Sequence, residues 1–393
     1  MNFKQLHTNK LANSVIYGWN QLCSRPVYLM LMIVVPLFST FFFLDFMNEG
    51  LPKKLPSAIV DQDNTPVSRT VTRNLDASEL VDINYKLNTY AEAMDLVKQG
   101  KIYGFFMIPR NFQSDAEAGR HTTITYYTNM AYFVPGTLSY KSFKTTAVST
   151  KGVISSASLI EAGVSKSLVS NMVQPVVTQI HPLGNPWANY SIYLSNSFLP
   201  GLLELIIFQI TAFSILQEIK RGTSVKWLHV SGNSIIRAVA GKLIPQFFIF
   251  AIVGLCMQGI IYGFWHFPLK GSVWAMAGAM IMLVLSSQAF ALAVVSIIPN
   301  LRFALSILSL FGILAFSIAG FSFPCEDMYG PIAIFSYLMP VRHYFLIYIN
   351  VALNGYPVYY VRWQYVAMLM FTLAPLAFMW KLKKESANPV YIP

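Results

Sequence analysis

Apolar residues fall into six long runs, 27–46, 197–216, 243–265, 273–298, 303–323 and 357–380. About 20 mainly apolar residues in a helix cross the hydrocarbon of a bilayer, so each run is expected to be a transmembrane helix. A seventh run, 331–355, is long enough but carries Pro340, Arg342 and His343 near its centre, and a charge at mid-bilayer is costly. With six spans and the N-terminus inside, Lys10, Arg25, Lys220, Arg221, Lys226, Arg237, Lys242, Arg302, Lys381, Lys383 and Lys384 all fall on the cytoplasmic side. This is the positive-inside pattern, and a seventh span would place the KLKK tail outside. Residues 324–356 are therefore expected to form a re-entrant or interfacial hairpin on the outer side. The hairpin includes Pro324, Pro340, Arg342 and His343, and of these Arg342 and His343 would close an exit path or contact headgroups.

Residues 47–196, between the first two spans, read differently. SAIVDQD (57–63) and VDINYKL (81–87) have strand patterning, with a helix between them opened by Thr65 and Pro66. A helical TYAEAMDLVKQGK follows, then strand-like IYGFFMIP and TTITYYTN. From about 135 to 180 the spacing is helical without a strong breaker before Pro175, which predicts a long helix or helical pair. The expected fold class is a six-helix polytopic membrane protein with an α/β extracytoplasmic domain on a helical stalk between helices 1 and 2. Two polar segments lie on the inner side. Residues 1–26 place Leu11, Val15, Trp19 and Leu22 on one helical face, suited to the membrane surface. Residues 218–232, EIKRGTSVKWLHVSG, sit in the longest cytoplasmic loop, 217–242, and residues 381–393 form the cytoplasmic tail.

Composition agrees with the apolar runs. Only 11% of residues are charged, against about a quarter in soluble domains, which excludes an ordinary soluble protein. A net charge of +11 would suit nucleic acid, but its clustering at span ends assigns it to topology, so no nucleic-acid partner is expected. No disulfide framework is expected of Cys23, Cys256 and Cys325. The first apolar run starts near residue 27 without a following small-residue cleavage site, and so reads as a retained span.

Catalytic chemistry is missing from the motifs. No G-x-x-x-x-G-K-[ST] phosphate loop and no G-x-S-x-G elbow occur. In the outer domain only His121 and His181 offer imidazole, too few for a metal site. No catalytic residue, resident metal or cofactor is expected. Glu204, about two turns into the second span, is an ionisable group in lipid and a candidate to meet a polar or cationic substrate, with Gln209 nearby. Hydration near the outer interface and packing between spans are the alternatives. For 218–232, Thr223 would cap a short helix over 224–230 after a break at Gly222, presenting Lys226, Trp227, Leu228 and His229 to a partner. The alternative is a solvated loop that serves topology and touches headgroups.

LPSAIVDQDNTPVSR (55–69), AEAMDLVKQGKIYGFFMIPRNFQ (91–113), EIKRGTSVKWLHVSG with GKLIP (241–245), GFSFPCEDMYGPI (320–332) and LMPVRHYF (338–345) together resemble the ABC-2 type permease family. The order and spacing of these stretches carry the resemblance. It implies the membrane subunit of an exporter, with ATP and Mg bound by a separate cytoplasmic ABC ATPase. The coupling helix that the resemblance implies comprises Glu218, Arg221, Gly222, Thr223, Lys226, Trp227, Leu228 and His229, with 1–26 as a connecting helix. It further implies a dimer with a second copy or a paralogue, in the plasma membrane with both termini cytoplasmic. Outward movement of hydrophobic or amphipathic molecules, drugs or lipids among them, follows from the same likeness. The size and position of the outer domain suit hand-over to a periplasmic adaptor. Two other functions stay open: a non-transporting subunit that relays ATP hydrolysis to an outer partner, and an ATPase-independent receptor or scaffold.

Overall fold

A computed structural model describes residues 9–174, 181–186 and 188–389. Parts of three expected segments, 1–8, 175–180 and 390–393, lie outside the described residues. The chain divides into two compact units, Met1–Gly50 with Pro182–Pro393, and Leu51–His181.

The first unit opens with α1 (Lys10–Cys23) and α2 (Pro26–Phe46). Within α2, Pro36 cannot donate a hydrogen bond and crowds the carbonyl one turn back; a wider π turn, Met30–Val34, accommodates it.

The second unit is β1 (Leu55–Asp61), α3 (Pro66–Asp76), β2 (Val81–Leu87), α4 (Tyr90–Lys98), β3 (Gly104–Ile108), α5 (Phe112–Glu117), β4 (Thr125–Thr128), α6 (Phe133–Glu161) and α7 (Lys166–Val173). Its sheet runs β2-β1-β3-β4, with β1 parallel to β2 and β3, and β4 antiparallel. Alternation along β1 and β3 fills both faces: Ile59 and Phe106 join Val71, Leu75 and Phe143 on one, while Ala58, Val60 and Phe105 meet Ala93 of α4 on the other. Thr65 opens α3 in a capping box with Ser68. The break between α6 and α7 comes at Gly163, in the left-handed region.

The first unit resumes with α8 (Tyr190–Lys220), α9 (Ser224–Val230), α10 (Ile235–Phe264), α11 (Val273–Ile297), α12 (Leu301–Ile318), α13 (Gly330–Ser336), α14 (Pro340–Leu353), α15 (Val358–Ala377) and α16 (Met379–Ala387). Helix α8 begins at Tyr190, seven residues before the expected span, because Asn189 caps it by accepting from the backbone of Ser191 and Ile192. It is the central helix, packed by α2, α11, α12 and α14. Among the described residues five helices are long and apolar enough to cross a membrane, or up to seven if two bent pairs each count as a span. The expected sixth span, 357–380, is one of these pairs: α15 and α16 meet at 41°, after a 3-10 turn holding Pro375. The other pair, α13 and α14, bends by 80° where Pro340 starts a new helix.

Helix α1 lies along α10. Its packed face is not the predicted apolar stripe. Asn13, Ser14, Gly18 and Leu22 are buried, whereas Leu11 and Trp19 stay exposed and Val15 half-buried. Small residues win this face because backbones meet there: a Cβ on Gly241 would stand 2.1 Å from Ser14 Oγ, and one on Gly18 would stand 2.3 Å from the Gly241 carbonyl oxygen. Of the predicted stripe only Leu22 is packed inward, and Leu11, Val15 and Trp19 are left facing outward to different degrees. Gly241→Val is expected to unseat α1 and destabilise the chain by about 1–3 kcal/mol, the usual cost of overpacking. Thermal unfolding in detergent measures it.

Candidate functional site

The loop 217–242 folds back onto the helices that flank it. Helix α8 ends at Arg221, Gly222 takes a left-handed conformation with φ 69°, and the Thr223 amide returns to the Glu218 carbonyl at 2.9 Å. This is the ordinary way glycine stops a helix. It reverses the chain so that the seven-residue α9 turns one side to the spans. Trp227 is fully buried and donates its indole N–H to the Ala238 carbonyl at 3.1 Å.

Beneath Trp227 sits a buried ion pair. Lys242 Nζ lies 2.8 Å from Glu218 Oε1, with both side chains almost wholly excluded from solvent. The ammonium has three protons to place, and three oxygens receive them: Glu218, the Gln21 side chain at 2.6 Å and the Ser214 carbonyl at 2.6 Å. The Trp227 ring covers Nζ at 4.9 Å, a favourable cation–π distance. The carboxylate in turn accepts from Tyr17 at 3.2 Å and from the Thr223 hydroxyl. Burial, and then the Glu218 charge, push the Tyr17 phenol well above its ordinary range, so it stays a donor at neutral pH. Ser14 closes the far side, donating to the Arg237 carbonyl at 2.9 Å and meeting the Ser231 hydroxyl at 2.9 Å. Helices α1, α8, α9 and α10 thus share one polar node.

Several sequence expectations change here. Trp227 and Leu228 do not face a partner; both are buried inward, because the reversal at Gly222 aims their side of α9 at the spans. Thr223 stands at the N-cap position of α9, but its hydroxyl is engaged by Glu218 and accepts no backbone amide of the helix. Glu218 is internal, not part of an exposed charged cluster. Arg221, Lys226 and His229 are exposed, and Val225, at 51% exposure, joins them. Tyr17, Gln21 and Lys242 enter the site unforeseen as a group. Opposite charges at facing ends of two apolar runs, Glu218 and Lys242, were the signal that could have found them.

Glu204 and Gln209 do not converge. Gln209 donates to Ser309 Oγ at 3.0 Å and ties α8 to α12, a packing role. Glu204 is 1% exposed, and the backbone amide of Val341, in the first turn of α14, reaches toward it, yet neither carboxylate oxygen has a hydrogen bond of good geometry. Arg342 and His343 are also buried, so they are not headgroup contacts: Arg342 donates to the Ala319 carbonyl at 3.0 Å and to Cys325 Sγ, under the Tyr337 ring. The ring nitrogens of His343 hydrogen-bond the Gln364 side-chain amide and the Tyr337 carbonyl. Pro324 leads into a 3-10 turn and Pro340 is the first residue of α14. These side chains fasten the bent segment to its neighbours. Among the described residues no three metal-ligating side chains come together.

A bundle of apolar helices around one buried charge pair defines a polytopic membrane protein. The family of ABC-2 family transporter proteins matches residues 26–381, and the chain belongs to that family. It is also similar to the linearmycin resistance permease protein LnrN of Bacillus subtilis (strain 168), 32% identical over 102 residues. That match covers 26% of this chain and 26% of the relative, so the chain spans about a quarter of that protein's length.

The ion pair predicts an asymmetric mutational response. Lys242→Met leaves a buried carboxylate without its cation and is expected to cost about 3–5 kcal/mol. Glu218→Gln combined with Lys242→Met is expected to recover most of that loss. Denaturant unfolding of the purified protein in micelles compares the two.

Proposed function

We propose that the chain is the membrane-spanning permease subunit of an ATP-driven exporter that moves hydrophobic or amphipathic molecules outward. ATP and Mg are held by a separate ABC ATPase docked at α9, and a second copy or paralogue completes the pathway. The chain resides in the plasma membrane, with both termini and α9 cytoplasmic and the Leu51–His181 unit extracytoplasmic, where a periplasmic adaptor receives cargo. The positive-inside distribution supports this orientation. The name of the Bacillus relative, a resistance permease, supports efflux.

One observation carries the reading. Helix α9 is held on its inner side by Trp227 and the buried Lys242–Glu218 pair, and it offers Val225, Lys226 and His229 outward. A small exposed face fixed to α1, α8 and α10 suits the delivery of a partner's motion to the spans. Val225→Glu with Lys226→Glu is expected to abolish most ATPase co-purification while the permease still inserts and unfolds normally; undiminished association would remove α9 as the docking element. Reconstitution of the complex in vesicles tests transport itself. ATP hydrolysis without flux would make the subunit a relay to an outer partner.

Glu204 is the polar group of the pathway in this reading, because its carboxyl is enclosed without a strong internal partner. Glu204→Gln is expected to alter the range or rate of exported substrates by several-fold, since burial amplifies small differences in charge. An unchanged profile across cationic and neutral substrates would exclude the residue.

A further inference from the structure

A cavity of about 300 Å³ lies where α1, the start of α2 and the end of α8 meet, with Tyr17, Gln21, Ser24, Arg25, Arg221 and Thr223 in its wall. Arg25 directly precedes Pro26 at the start of α2, and Arg221 closes α8. Among the described residues neither guanidinium has a hydrogen-bond or salt-bridge partner, and both act electrostatically on Tyr28. The one carboxylate at the cavity, Glu218, is already neutralised by Lys242. The cavity is therefore left with two free cations, since the hydroxyls of Ser24 and Thr223 already donate to the Gln21 carbonyl and to Glu218.

Its surroundings are apolar. Val27 and Met30, on the first turns of α2, are exposed, as are Ile16 and Trp19 of α1. Such a border of bare guanidinium groups against lipid-facing side chains matches a phosphate group carrying acyl chains: arginine forks fit phosphate oxygens, and tryptophan favours the level of the headgroups. A carboxylate on a soluble partner would have no use for the apolar rim.

We propose that this cavity binds the phosphate headgroup of an anionic phospholipid, with Arg25 and Arg221 as its two cationic contacts. The proposal rests on the membrane location of the family, not on the docking of an ATPase. Because Tyr17 and Thr223 line the cavity and also hydrogen-bond Glu218, an occupying lipid adjoins the polar node directly.

Native mass spectrometry of the purified full-length chain, titrated with phosphatidylglycerol or phosphatidylcholine, tests it. The wild type is expected to retain one phosphatidylglycerol in preference to phosphatidylcholine, and millimolar inorganic phosphate is expected not to displace it. Arg25→Gln with Arg221→Gln is expected to weaken that retention by roughly thirtyfold, two basic groups near the surface each contributing about 1 kcal/mol. If that variant fails to fold, Arg25→Lys with Arg221→Lys keeps the charge, and retention near the wild-type level is then expected. Equal retention of both lipids by the wild type overturns the proposal, as does undiminished retention by the Gln variant or a loss in the Lys variant as deep as neutralisation predicts. Displacement by phosphate alone would make this a small-anion site. A Gln variant that keeps its lipid but loses a bound ATPase would make it a protein contact. Each of these last two also overturns it.

Discussion

Taking an ammonium and a carboxylate out of water costs several kcal/mol each, and their attraction offsets this only when every remaining proton and lone pair is also satisfied. Lys242 and Glu218 meet that condition with partners drawn from separate parts of the chain: Tyr17 and Gln21 from α1, the Ser214 carbonyl from α8, Thr223 from the turn and the Trp227 ring from α9. None of these groups can withdraw without leaving a buried charge short of a partner. The crossing of α1 on α10 follows from the same demand. To bring Tyr17 and Gln21 to Lys242, the two backbones must approach closely, which is why Gly18 and Gly241 stand at the crossing.

The short helix α9 owes its existence to this arrangement. Seven residues are too few to form a stable helix in water, and here the structure comes from burying Trp227 and Leu228, not from intrinsic propensity. What remains exposed is a narrow strip fixed to a stiff support. In a permease of this family, such a strip has no slack of its own to absorb displacement. Val225 and Lys226 stand on a helix whose other side is packed on α8, α10 and α16.

Much of the architecture was legible in sequence. The strands and helices of the Leu51–His181 unit follow from period-two alternation, the Thr65–Pro66 start and the position of Gly100, all local signals. Span existence was equally local, but continuity was not. The breaks in 331–355 and 357–380 reflect Pro340 and Pro375 acting together with tertiary packing, and apolar content alone cannot reveal a bend. The orientation of the candidate site was hidden from sequence for a physical reason. Hydrophobicity marks Trp227 as a residue that will be buried, but burial against a partner and burial against the chain's own spans leave the same trace. Likewise the i, i+4 stripe on α1 shows an amphipathic helix without saying that Ser14 and Gly18, the inconspicuous residues, make the protein contact.

The seating of α1 on α10 also has a consequence in time. Ser14 bonds the carbonyl of Arg237, 223 residues further along the chain. At roughly 5–20 residues per second of synthesis, the N-terminal helix leaves the ribosome on the order of ten to forty seconds before its socket exists. During that interval Leu11, Val15 and Trp19 form an apolar strip of the kind that holds amphipathic helices at a bilayer surface. The outward apolar strip that the finished fold leaves unpacked would thus also hold the earlier-made helix near the place where its later-made partner appears.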